Sequence, residues 1–98
     1  MTLTLYLSQI DLTKDEKQVI KVSEKVLSYT WANNCDLVYS TEKGGLDGFN
    51  LKSKKSTIYI ESQNRYQGIV GDKKGTIYGE VYTYYTNDGQ QYIKDKEL

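Results

Sequence analysis

The chain has no histidine and no proline, and only one cysteine, one alanine and one phenylalanine in 98 residues. Without histidine the commonest general base and metal ligand is missing, and the usual zinc constellations cannot be built. A lone Cys35 cannot close an intramolecular disulfide. Following Asn33-Asn34, with no histidine to activate it, it reads as a half-buried structural thiol rather than a nucleophile. Neither sign of charge is in excess, with 13 Lys and Arg against 13 Asp and Glu. The global electrostatic pull toward phosphate or anionic lipid is therefore absent. Apolar runs last only a handful of residues, far short of the ~20 that a membrane-spanning helix needs. Met1 to Ile10 alternates leucine with Thr, Tyr and Ser and carries no leading Lys or Arg, which reads as a strand rather than a leader. A cytoplasmic protein without a membrane partner is expected. Gly44-Gly45 and the Gly71 to Gly75 stretch lack the spacing of phosphate or dinucleotide cradles, so no cofactor is expected either.

Leu, Ile, Val and Phe supply 23 residues, above the level of a disordered chain, and the length suits a single core. One domain over residues 1–98 follows. Leu3, Leu5 and Leu7 recur at period two and predict a first strand. Thr13-Lys14-Asp15-Glu16 then spells a capping box. At about 100° per residue, Val19, Ile20, Val22, Val26, Leu27, Tyr29 and Trp31 gather on one side, with Lys17, Gln18, Lys21, Glu24, Lys25 and Ser28 on the other. The spacing predicts a helix over Lys14 to Ala32, ended by Asn33 and Asn34.

Beyond it the chain reads as β-structure punctuated by Gly, Asn and Asp. Short strands are expected at Leu37 to Ser40 and Ser56 to Ser62. Arg65 to Val70 and Thr76 to Tyr85 flank the Gly71 to Gly75 turn, and the latter meets Gln90 to Lys94 across Asn87-Asp88-Gly89; both read as hairpins. Thr41 to Lys55, with Gly44, Gly45 and Gly48 around Leu46 and Phe49, is a loop or a weak hairpin. The expected architecture is α+β, one amphipathic helix packed on one face of an antiparallel sheet of about five strands.

Ten tyrosines against one phenylalanine favour the hydroxylated aromatic that suits half-exposed sites. With Ile58, Ile60, Ile77 and Val81 facing the core, Tyr59, Tyr78, Tyr82 and Tyr84 face outward together, with Tyr92 adjacent across the last hairpin. A tyrosine-paved face of this kind suits protein binding, although tyrosine also simply fills solvated strands well. Lys73 and Lys74 in the turn would add charge complementarity to those tyrosine anchors. The helix lysines Lys14, Lys17, Lys21 and Lys25 make a second basic stripe, which an ordinary solvated face also explains.

Basic turns (Lys52-Ser53-Lys54-Lys55 and Lys73-Lys74) beside outward tyrosines are also the ingredients of a single-strand nucleic-acid platform. Glu61 and Glu80 on the same face oppose phosphate. An enzyme built on Glu61, Glu80 and Arg65 has no motif behind it. Trp31, at the end of the expected helix, anchors that helix on the sheet, and Phe49 either meets a partner or plugs the end of the core.

The composition, rich in Lys, Tyr, Ile and Asn, resembles that of small proteins from AT-rich bacteria and their phages. Among such proteins, inhibitors and immunity or antitoxin proteins that occlude a larger protein need no motif at all. The expected function is therefore a cofactor-free inhibitor binding a protein target, with nucleic-acid binding as the alternative. An edge such as Thr2 to Ser8 or Gln90 to Lys94 could also pair two copies.

Overall fold

Strand follows strand along the whole described chain. The computed structural model describes residues 2–87 and 90–97, and side chains as far as residue 81. Eight strands run in order: β1 (Leu3–Asp11), β2 (Glu16–Trp31), β3 (Asp36–Thr41), β4 (Leu46–Asn50), β5 (Ser56–Ile60), β6 (Arg65–Gly71), β7 (Ile77–Asn87) and β8 (Gln90–Glu97). The first five form an antiparallel meander in sequence order, and β6, β7 and β8 form a second antiparallel sheet. No described residue is helical, so the expected α+β architecture is overturned and the fold is all-β.

The error lies in β2, and its cause is visible in the register. β2 pairs with β1 through its first half and with β3 through its second, and irregularities interrupt both ladders, between Lys21 and Ser23 and between Ser23 and Val26 on one side and between Val26 and Ser28 on the other. Lys25 takes a φ of 54° at this point. Each extra residue shifts the period-two pattern by one, so the apolar face passes from Ile20 and Val22 to Trp31. Three register shifts within sixteen residues imitate helical spacing. Composition points the other way, because Val19, Ile20, Val22, Val26 and Thr30 are β-branched and Tyr29 and Trp31 aromatic. The capping-box spelling is also used differently. The Asp11 carboxylate accepts from Thr13 N at 2.9 Å, Thr13 Oγ1 at 2.6 Å and Lys14 N at 3.3 Å, and Asp15 has a φ of 52°. Local side-chain bonding of this kind closes a hairpin turn where a helix start was expected.

Thr41 to Lys55 resolves into a hairpin, with β4 pairing to β3 and β5. β3 is buried on both faces. On one, Leu37 and Tyr39 pack with Leu5, Val26 and Phe49 and are flanked by Leu7, Ile20, Val22 and Trp31. On the other, Val38 packs with Ala32, Leu46 and Ile69 beneath the second sheet, joined by Tyr66 and Ile77. Polar side chains of β2 and β3 hold β6 in place: Ser28 Oγ accepts from Ile69 N at 3.0 Å, Thr30 Oγ1 from Gly71 N at 2.9 Å, and Ser40 Oγ donates to Tyr66 O at 2.6 Å. The lateral edge of β6 is thereby closed.

Asp36 ties the β2–β3 turn to the end of β4. Its carboxylate accepts from Asn33 Nδ2 and Asn50 Nδ2, each at 2.8 Å, and these bonds hold its pKa below the usual carboxylate value. Removing Asp36 leaves two amide donors without their partner, so Asp36→Ala should cost about 1–3 kcal/mol in urea unfolding. Because the folded-state pKa is depressed, this contribution is complete above the unfolded pKa and is lost as pH falls through the folded one. Thermal midpoints measured from pH 6 downward should therefore fall less steeply in Asp36→Asn than in the wild type.

Candidate functional site

The second sheet covers β2 and β3 and stops short of β5. An apolar groove remains between the sheets, floored by Ala32, Val38 and Leu46 and walled by Tyr59 and Ile60 on one side and Ile77 on the other. Its volume is about 490 Å³. A smaller hollow continues from it past Leu46, Ile60 and Ile77 toward Tyr66, Tyr78 and Val81. Asn33, Gly75 and Thr76 close one end.

Two local features of sequence build the β5 wall. The pairing with β4 places Asp47 opposite Ile58 and Leu46 opposite Ile60, so Tyr59 is an extra residue in a bulge. A bulge breaks the alternation, and Tyr59 and Ile60 both border the groove instead of pointing to opposite faces. Gly48 makes room for the tyrosine: a Cβ there would fall into the Tyr59 ring. Burial raises the Tyr59 pKa, and the negative charge of Asp36 adds to this. β5 is exposed along its whole length, with Ile58, Tyr59 and Ile60 retaining 66%, 49% and 42% of their accessible surface. Contiguous apolar exposure on this scale is uncommon on a protein that works alone.

The other expected site residues fall as follows. Tyr78 lies on β7 and is 62% exposed, whereas Tyr59 belongs to the first sheet, so the two flank the groove region from different sheets and do not pave one face. The side chains of Tyr82, Tyr84 and Tyr92 lie outside those described. Their backbone register pairs Tyr82 with Lys96, Tyr84 with Ile93 and Tyr92 with Tyr85. Asn87 pairs with Gln90, and the intervening Asp88 and Gly89 lie outside the described residues. Lys73 and Lys74 occupy the β6–β7 turn, whose shape is set by Asp72 Oδ1 accepting from Lys74 N at 2.7 Å and Thr76 N at 3.1 Å. Gly75 N of the same turn donates to Ala32 O at 3.2 Å, which seats both lysines near the closed end of the groove.

The basic stripe is not a helix face. Lys14 is in the first turn, Lys17, Lys21 and Lys25 are on β2, and Lys21 pairs with Glu24 at 2.5 Å. Glu61 follows β5 while Glu80 and Arg65 stand in the second sheet. Among the described residues, no three His, Cys, Asp or Glu side chains gather to hold a metal ion. Phe49 is buried in the core and does not face a partner. Cys35 is half-buried in the β2–β3 turn, its N–H donating to Asn33 Oδ1 at 2.7 Å.

A polar hollow on the opposite face of the first sheet is bordered by Lys43, Asp47 and Thr41. Burial raises the Asp47 pKa against the pull of Lys43, and burial likewise raises that of Tyr39, whose hydroxyl is hydrogen-bonded to Ser56 and Ser23. The cluster joins side chains of β2, β3, β4 and β5.

Sequence reasoning passed over the groove floor. Leu46 and Gly48 belong to the segment expected as a loop or weak hairpin, and a glycine between Leu46 and Phe49 is the available signal, since glycine within a strand marks a close approach. No described helix is long and apolar enough to cross a membrane. Compared with known proteins, the chain matches no family model, no curated protein and no solved structure.

Proposed function

We propose that this chain is a protein-binding module that acts by occluding a surface of a larger protein, with the groove between its sheets as the anchor site. The observation that carries this reading is the exposed Ile58-Tyr59-Ile60 strand beside a groove floored by Ala32, Val38 and Leu46. Such a surface offers an apolar cleft, a tyrosine with a polar tip and few rotors, and no reacting groups. Those are the properties of an interface hot spot. The occupant is an apolar side chain, or a short run of them, from the target protein. Tyr59 and Tyr78 are the aromatic rims, and Lys73 and Lys74 sit where they would meet acidic groups flanking the inserted segment.

The Tyr59→Ala/Ile60→Ser variant removes one wall while leaving the buried clusters intact. Affinity for a target captured in the presence of nuclease should fall by about thirtyfold or more, the loss typical of a hot spot. Unchanged affinity in a folded variant would exclude the groove. Steep loss of wild-type binding with added salt would instead assign the surface to nucleic acid, through counterion release.

A further inference from the structure

The β1–β2 turn is a fixed knob with an apolar tip. Leu12 keeps 89% of its accessible surface, more than any other large apolar side chain described, and Ile10 beside it is exposed as well. Asp11 holds the turn that carries them, its Oδ1 accepting from Thr13 N, Thr13 Oγ1 and Lys14 N. A turn already held in one shape has little ordering left to lose on docking. We propose that this tip enters the groove of a second copy, so that the chain closes its own binding surface when no target is present, an inference that rests on the groove reading above and adds what regulates it.

Charge and shape both point to this occupant. Lys73 and Lys74 are exposed beside the end of the groove formed by Asn33, Gly75 and Thr76. The acidic residue of their own turn, Asp72, is engaged with the backbone of Lys74 and Thr76. From Asp11 to Glu16 the knob carries Asp11, Asp15 and Glu16 against Lys14. Asp11 is held by its own turn, which leaves the exposed Asp15 and Glu16 for a neighbour, within four residues of the leucine to be inserted. An acidic turn that projects an apolar side chain thus meets an apolar cleft with a basic end.

The knob does not line the groove of its own chain. Leu7 and Ile20 pack against the Leu37 and Tyr39 face of β3, and Lys54 Nζ donates to Gln9 Oε1 at 2.7 Å, which ties the hairpin to the β4–β5 turn. Val38, on the groove floor, belongs to the other face. The contact therefore joins two copies and is heterologous, each chain offering one tip and one groove. A single inserted side chain covers little area, so weak association is expected, with Kd on the order of 100 µM.

Sedimentation equilibrium over a tenfold range of concentration on either side of that Kd tests this, with circular dichroism confirming that each variant is folded. The wild type should associate reversibly. Leu12→Ser and Tyr59→Ala/Ile60→Ser should each weaken association about thirtyfold. An equimolar mixture of the two should nevertheless form a one-to-one dimer and nothing larger, because the first keeps an intact groove and the second an intact tip. Lys73→Glu/Lys74→Glu should weaken association roughly tenfold, and adding Asp15→Lys/Glu16→Lys should restore it. A monomeric wild type, association indifferent to Leu12→Ser, a mixture that stays monomeric, or charge exchange without recovery would each overturn the proposal. Leu12→Ser leaves the groove intact, so its affinity for a captured target reports on the groove alone: undiminished target binding beside a monomeric wild type strikes self-closure and leaves the groove standing.

Discussion

Phe49→Ala is expected to lower the stability of the chain by about 3–5 kcal/mol, the range for deleting a fully buried aromatic ring. Phe49 retains 6% of its surface and packs with Leu5, Val26, Leu37 and Tyr39, residues contributed by β1, β2 and β3. Its ring stands opposite Leu37 in the β3–β4 ladder, so the loss opens a cavity beneath the strand that both buried clusters share. Domains of this size have only about 5–15 kcal/mol in hand. Urea unfolding should show a much lower midpoint with an unchanged slope, and a mixed apolar replacement such as Phe49→Leu should recover most of the loss. A stability loss of under about 1 kcal/mol would mean that Phe49 is not a core residue.

Gly71→Ala is expected to cost about 3 kcal/mol, although it adds only one methyl group. A Cβ at this position would overlap the Trp31 carbonyl oxygen and come within 3.1 Å of its carbon and 3.2 Å of Ile77 Cδ1. The carbonyl is backbone and cannot swing aside, so β6 must move away from β2. Moving it stretches the Gly71 N–H to Thr30 Oγ1 bond and loosens Ile69 from Val38 and Leu46. The loss should be unevenly distributed. Hydrogen exchange should report faster opening of β6 and β7 with β1 to β4 still protected, because the cluster of Leu5, Val26, Leu37, Tyr39 and Phe49 is untouched. Gly75→Ala is the control: no atom lies within 4 Å of its Cβ, and only the positive φ of 99° opposes the substitution. Equal exchange rates in both variants would show that close packing at Gly71 does not hold the sheets together.

These two sites also show how differently a sequence reveals its parts. Phe49 is the sole phenylalanine and follows Gly48, and nothing in its neighbours tells a core plug from an exposed anchor. Its burial comes from strands far away in sequence. Gly71 is legible as turn punctuation, and the turn is indeed there, held by Asp72. That the same glycine also lets β6 lie against Trp31 depends on a contact forty residues distant. The candidate site divides in the same manner. Tyr59 and Tyr78 stand out in the sequence as aromatic residues in half-exposed strands. The groove they flank needs Val38, Leu46 and Ile77 from three different strands, Ala32 from just past the end of β2, and Gly48 to admit the ring.

By itself the sequence determined the local features: the period-two strand at Leu3 to Leu7, the β-branched run at Thr57 to Ile60, and the β6–β7 hairpin around Asp72. Each of these depends on neighbouring residues alone, through side-chain alternation or a side chain bonding to its own turn. Tertiary structure decided β2. Its apolar spacing satisfies a helix as well as a strand with three register shifts, and the choice turns on hydrogen bonds. A helix closes them within itself, whereas a strand takes them from β1 on one side and β3 on the other. Only the assembled sheet supplies those partners, so only the assembled sheet could turn β2 from the expected helix into the strand on which the second sheet rests.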